Sequence, residues 1–162
     1  MNKRINALIC ALALVLSLPF TACATETGVR ASDYIAFTDV RAYAEDYGKI
    51  LIEIDVDATH TMLEVGASDV TIYEQQSDGR YVDVYTYTMN THNGLIRTNS
   101  AYAYIDVIYQ GTIGKNYYAY VGCYARDSSG AETMYFTSPV VMADRYANEI
   151  VPASRHAAVV VN

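Results

Sequence analysis

The 162-residue chain contains no tryptophan and only three each of histidine, cysteine, proline and phenylalanine. The scarcity of histidine bears directly on catalysis and metal binding. His60, His92 and His156 stand far apart, with neither His-x-x-x-His nor any Cys/His spacing, so the ligand sets of zinc sites are missing. His60 lies near Asp57 in sequence, a proximity that a solvated loop pair explains without a site. Gly-x-Ser-x-Gly, a phosphate-cradling glycine loop and a dinucleotide glycine fingerprint are all absent. The expectation is therefore no enzyme, with no catalytic residues, no metal and no cofactor.

Positive charge is also short. Eleven Lys and Arg face 18 Asp and Glu, a net of −7. Such a balance excludes nucleic acid as a partner, since its recognition needs a basic footprint, and excludes polybasic docking on anionic lipid. No apolar run reaches the roughly 20 residues of a membrane-spanning helix. The longest, Ile5–Leu18, has 14 residues, follows Lys3-Arg4 and ends at Pro19. That order is the order of a secretory signal peptide, with Ala22 and Ala24 at −3 and −1 of a cleavage after Ala24. Phe20-Thr21-Ala22-Cys23 is also similar to a lipoprotein box, in which Cys23 would be lipidated. Two localisations thus stay open: secreted and extracellular, or lipid-anchored on the outer face of the cell membrane. Loss of residues 1–24 removes Lys3, Arg4, Cys10 and Cys23, leaving a net of −9 and a single cysteine, Cys123. No intrachain disulfide can then form. The alternation Ala119, Val121, Cys123, Ala125 reads Cys123 as a buried, inert thiol.

What the chain does have is period-two alternation between clusters of Gly, Asp, Asn and Ser. Strands are predicted over residues 34–44, 50–57, 70–74, 81–89, 100–109, 117–126 and 133–142. The clearest has Ile50, Ile52, Ile54 and Val56 on one face and Leu51, Glu53, Asp55 and Asp57 on the other. Residues 59–67 read as a crossing loop or a single helical turn. Ser77-Asp78-Gly79-Arg80 and Asp127-Ser128-Ser129-Gly130 are turn signals. About seven short strands, with turns every 8 to 12 residues or so, predict an all-β fold: a single antiparallel β-sandwich of the immunoglobulin or fibronectin type III kind, with an up-and-down barrel as the competing closure. The organisation expected is a signal peptide (1–24), a short linker (25–32), the sandwich (33–142) and a tail (143–162) that is partly ordered or adds an edge strand. The mature chain has no transmembrane span.

Residues Gly114-Lys115-Asn116-Tyr117-Tyr118-Ala119-Tyr120-Val121-Gly122-Cys123-Tyr124-Ala125, then Gly130, resemble the F strand and F–G turn of a fibronectin type III-like module. Thr137-Ser138-Pro139-Val140-Val141 is similar to the closing strand of such a module. The resemblance covers residues 33–142 and implies that Tyr117 is a tyrosine-corner residue, its ring buried and its hydroxyl tied to upstream backbone. A second resemblance is carried by Arg30-Ala31-Ser32-x-Tyr34-Ile35, Gly48-Lys49-Ile50, Thr61-Met62, Val65-Gly66-Ala67-Ser68 and the Gly-Lys-x-Tyr turn. These are similar to a family of small secreted proteins of Gram-positive bacteria known only as a domain of unknown function. It implies secretion and an all-β fold, and brings no site residues.

Glu53, Asp55 and Asp57 alternate along one strand and so stand nearly 7 Å apart, too far to chelate calcium without loop donors. They read as a solvated acidic face paired to Arg41 or Arg97. The unusual feature is 16 tyrosines. With Ala119, Val121 and Cys123 inward, Tyr118, Tyr120 and Tyr124 are predicted to point out, as are Tyr85, Tyr87, Tyr102 and Tyr104 on their strands. An exposed tyrosine ladder offers rigid amphipathic contacts to a protein or stacking faces to a glycan. The alternative for the same rings is cross-strand packing within the sheet. The functional expectation is a non-enzymatic binding or adhesion module for an unknown protein or glycan; a structural, self-assembling envelope protein is the other reading.

Overall fold

The computed structural model describes residues 32–146. Ala22, Cys23 and Ala24, and the tail beyond Tyr146, lie outside them. Among the described residues there are seven antiparallel strands, two short 3-10 turns and no α-helix: β1 (Ile35–Ala44), β2 (Lys49–Gln75), β3 (Tyr81–Thr88), β4 (Ile96–Gln110), β5 (Asn116–Arg126), β6 (Ala131–Thr137) and β7 (Val141–Met142). The predicted antiparallel all-β class holds. The sheet curls into a half-barrel organised around β2, which runs for 27 residues.

β2 has different neighbours along its two halves. Its first half pairs with β1 through Arg41↔Glu53 and with β4 through Glu53↔Asp106. Its second half pairs with β5 through Val70↔Val121 and with β3 through Val70↔Tyr87. β1 and β5 therefore follow one another along one flank of β2, and β4 and β3 along the other. The predicted loop over 59–67 is a correction: these residues continue the strand. Their pattern hid this because β2 arches. The register steps from Asp57↔Tyr102 to Met62↔Ser100, so residues 58–61 bulge opposite Ala101 alone. A second shift falls between Ala67 and Asp69. Positions in the core cluster run even through 50, 52, 54, 56 and 62, turn odd at 65 and 67, and return to even at 70 and 72 across the second shift, while Leu51 and Glu53 are buried on the other side of the strand. A strict two-residue period fails across such a stretch.

The core forms where the concave faces meet. Ile50, Ile54, Val56, Val70 and Ile72 of β2 are fully buried with Ile105 and Val107 of β4 and Ala119, Val121 and Cys123 of β5. Each such aliphatic chain stabilises the fold by about 1.5–3 kcal/mol. Cys123 is buried as expected, and burial pushes its thiol up to about 12. The predicted last strand, 133–142, divides into β6 and β7 because Pro139 has no N–H for the ladder. Ser138 spans the break: its hydroxyl accepts the Ala119 N–H at 2.9 Å and donates to the Pro139 carbonyl at 2.9 Å.

Candidate binding face

Tyr117 is buried, and its hydroxyl accepts the Thr112 N–H at 2.9 Å while donating to Glu74 Oε2 at 2.6 Å. The ring is tied to upstream backbone, as expected of a tyrosine corner. This tyrosine belongs to the framework.

The face of β3–β2–β5–β6 turned away from the core carries a cluster of the other rings. Tyr118 and Tyr120 stand two residues apart on β5, on the opposite side from Ala119 and Val121. Tyr73 of β2 is the cross-strand partner of Tyr118, and the two rings stack at 4.8 Å with 7° between planes. Tyr81 meets Tyr118 edge-on at 4.9 Å. Tyr120 stacks on Tyr135 of β6 at 5.1 Å and 9°. Gly122 makes room for this second stack. A Cβ there would lie 2.7 Å from Asp69 Oδ2 and 3.0 Å from Tyr135 Cε1, and would collide with Ser68 Oγ. Ser68 Oγ donates to Asp69 Oδ2 at 2.7 Å. The charge of Asp69, helped by burial, pushes the Tyr135 hydroxyl up. Thr71 and Thr86 are joined through their hydroxyls at 3.1 Å beside Tyr120, and Thr137 flanks it on the other side.

Of the predicted outward tyrosines, Tyr85, Tyr102 and Tyr120 are exposed, at 43%, 61% and 38%. Tyr118 is half-buried by its stack. Two corrections follow. Tyr87 is buried at 3% exposure, and burial raises its hydroxyl to about 12. Tyr124 is buried too, its hydroxyl 3.5 Å from Glu64 Oε2. The register explains Tyr87: it stands opposite the core residue Val70, as Tyr85 stands opposite Ile72, so β3 turns both rings to the core side. Tyr124 keeps the facing of Tyr118 and Tyr120, with its hydroxyl beside the Glu64–Arg126 pair. Tyr73, Tyr81 and Tyr135 were not singled out from sequence. Tyr135 alternates with Thr133 and Thr137, which is a local signal; the pairing of Tyr73 with Tyr118 needs the register.

Tyr104 stands on a different surface, donating to Glu53 Oε1 at 2.7 Å, and burial with this bond raises its hydroxyl. Glu53, expected in solvent, is buried at 1% exposure, and Arg41 joins it at 3.5 Å, Asp39 at 3.3 Å and Asp55 at 2.9 Å. The expected pairing with Arg41 is thus present, whereas Arg97 makes no ion pair among the described residues. An open cleft of about 490 Å³ follows β4, lined by Arg97, Asn99, Tyr102 and Tyr104 among others. The described residues hold no group of three or more His, Cys, Asp or Glu able to bind a metal.

His60 pairs with Asp127 rather than with Asp57, at 3.2 Å. Thr59 Oγ1 is 3.1 Å from His60 Nδ1, but it donates to the Asp33 carbonyl at 2.8 Å. His92 is elsewhere, edge-on to Tyr87 at 5.2 Å.

No protein-family model and no curated protein matches the chain. Among solved structures it is similar to one described as the X-ray structure of Northeast Structural Genomics Consortium target SoR45, with a TM-score of 0.38 and 11% identity. The match covers 78% of this chain and 98% of that one, and at this level it carries no argument.

Proposed function

We propose that the chain is an exported, non-enzymatic binding module that engages a protein or glycan through the outer tyrosine face of β3–β2–β5–β6. One observation carries the reading: two cross-strand tyrosine stacks, Tyr73–Tyr118 and Tyr120–Tyr135, stand on a single face. Rings held against one another lose little freedom on binding, which is what makes tyrosine effective in recognition surfaces. The fold reading, a fibronectin type III-like sandwich, draws support from the division of pairings into β1–β2–β4 and β3–β2–β5–β6 and from the Tyr117 corner. Export draws on the leader before Thr25. The non-enzymatic reading draws on the sequence, whose three histidines have no metal or catalytic spacing. Glycan and protein arrays probed with the wild-type chain and a Tyr120→Ser/Tyr135→Ser variant test the proposal. The variant should lose the array signal and keep its circular dichroism spectrum; an unchanged profile sinks the idea.

A second reading, self-assembly, is favoured by β3. Among the described residues this strand pairs with β2 alone, and it exposes Val82, Val84 and Tyr85 around a single charge, Asp83, with no Lys, Arg or Pro. Mass by light scattering would rise with concentration in that case, and a strict monomer would remove it. Mass spectrometry of the mature N-terminus separates release, beginning at Thr25, from anchoring at a diacylated Cys23.

A further inference from the structure

The chemistry of the tyrosine face is unlike that of the rest of the molecule. Two cross-strand rows cross its centre, Thr86–Thr71–Tyr120–Thr137 and Thr88–Asp69–Gly122–Tyr135. Beside them stand Tyr73, Tyr118 and Tyr81. Hydroxyls therefore supply nearly all the polar groups, each able to donate and to accept. Asp69 and Asp83 are the carboxylates, and neither row contains a lysine or arginine. The cations at its borders are already paired: Arg126 with Glu64 at 2.9 Å, Lys115 with Glu74 at 3.6 Å and Arg80, next to Tyr81, with Asp78 at 2.6 Å.

We infer that the ligand of this face is a neutral, hydroxyl-rich polysaccharide chain, an inference that rests on the binding-face reading above. A polyanion would meet Asp69 with no compensating cation, on a chain whose net charge is already −7. A polycation would find denser negative charge around Asp39, Asp55 and Asp57 than on this face. An uncharged sugar chain matches what is present. Its apolar C–H faces lie on the tyrosine rings, and its hydroxyls exchange hydrogen bonds with the threonines and with Asp69, whose carboxylate is a charge-assisted acceptor. Gly122 keeps the strip open between Asp69 and Tyr135, because a side chain there would fill the space that both now share.

Affinity electrophoresis of the mature chain tests this, in gels containing a linear neutral β-glucan, a mannan, polygalacturonate or hyaluronan. Retardation is expected in at least one neutral gel, independent of salt, and in neither acidic gel. Tyr120→Ser and Tyr135→Ser should each weaken it about tenfold or more. Tyr120→Phe, which keeps the ring and serves as the folding control, should retain most of it. Retardation by acidic polymers alone, or by no polysaccharide, overturns the ligand class. If a protein on the array is then still captured through Tyr120 and Tyr135, the binding-face reading survives that failure. Neutral-glycan retardation that persists in the double serine variant overturns the face instead.

Discussion

Tyr117 shows how one hydroxyl can hold two connections together. It accepts from the backbone of Thr112, in the β4–β5 turn, and donates to Glu74 near the end of β2. Replacing it by phenylalanine keeps the ring in the core but removes the partner of a partly buried N–H and of a partly buried carboxylate. The expected cost is about 1–2 kcal/mol in urea denaturation. A value indistinguishable from wild type would mean that water replaces the hydroxyl without loss. The contrast with Tyr120 is instructive. Both residues lie on β5, yet one is fully buried and the other 38% exposed. The parity of the strand separates them, and that much could be read from the alternation of Ala119, Val121 and Cys123.

At the scale of elements, β2 decides the architecture, and Gly66 is its most constrained position. Its φ is +152°, and a Cβ there would collide with the Leu95 carbonyl oxygen and lie 3.1 Å from the Ile96 backbone. β2 approaches the turn before β4 this closely only because residue 66 has no side chain. Gly66→Ala should destabilise by roughly 2–3 kcal/mol, since backbone rather than a flexible side chain must move. Thermal unfolding followed by circular dichroism measures it, and a melting temperature within a degree or so of wild type would contradict the account. The predicted strands at 50–57 and 70–74 were correct as segments. Their union into one element was not legible, because the arch at 58–61 and the shift after Ala67 each reset the alternation that identifies strands.

For the molecule as a whole, one clasp joins the start of β1, the arch of β2 and the β5–β6 turn. Tyr34 meets Ser129 at 3.2 Å, Ser32 donates to Glu132, and Asp127 collects the Ser129 hydroxyl at 2.7 Å, the Ser129 N–H at 2.6 Å, the Gly130 N–H at 3.1 Å and His60 at 3.2 Å. The Ser129 bonds first, then Gly130 and His60, hold the Asp127 carboxyl down at about 2 against an ordinary 3.8. A depressed carboxyl stabilises the folded state above its unfolded value, and that contribution is lost as pH falls through about 2. Asp127→Ala should therefore lower the melting temperature at neutral pH and converge with wild type near pH 2. A difference that persists undiminished in acid would show that the clasp works through packing instead of charge.

What the sequence determined by itself is what depends on neighbours along the chain. The turn at Ser77–Arg80, the all-β class, the burial of Cys123 and the apolar face of Ile50–Val56 follow from local order and alternation, and the tie of Tyr117 to upstream backbone is what the resemblance to a fibronectin type III-like strand implies. What only the tertiary structure decided is what depends on register across strands. It placed Tyr73 against Tyr118 and Tyr135 against Tyr120, buried Tyr87, Tyr124 and Glu53, and moved His60 from Asp57 to Asp127. Register is set by bulges, and a bulge is one or a few extra residues with no signature of their own in the sequence, yet an irregularity so small redirects the facing of residues beyond it.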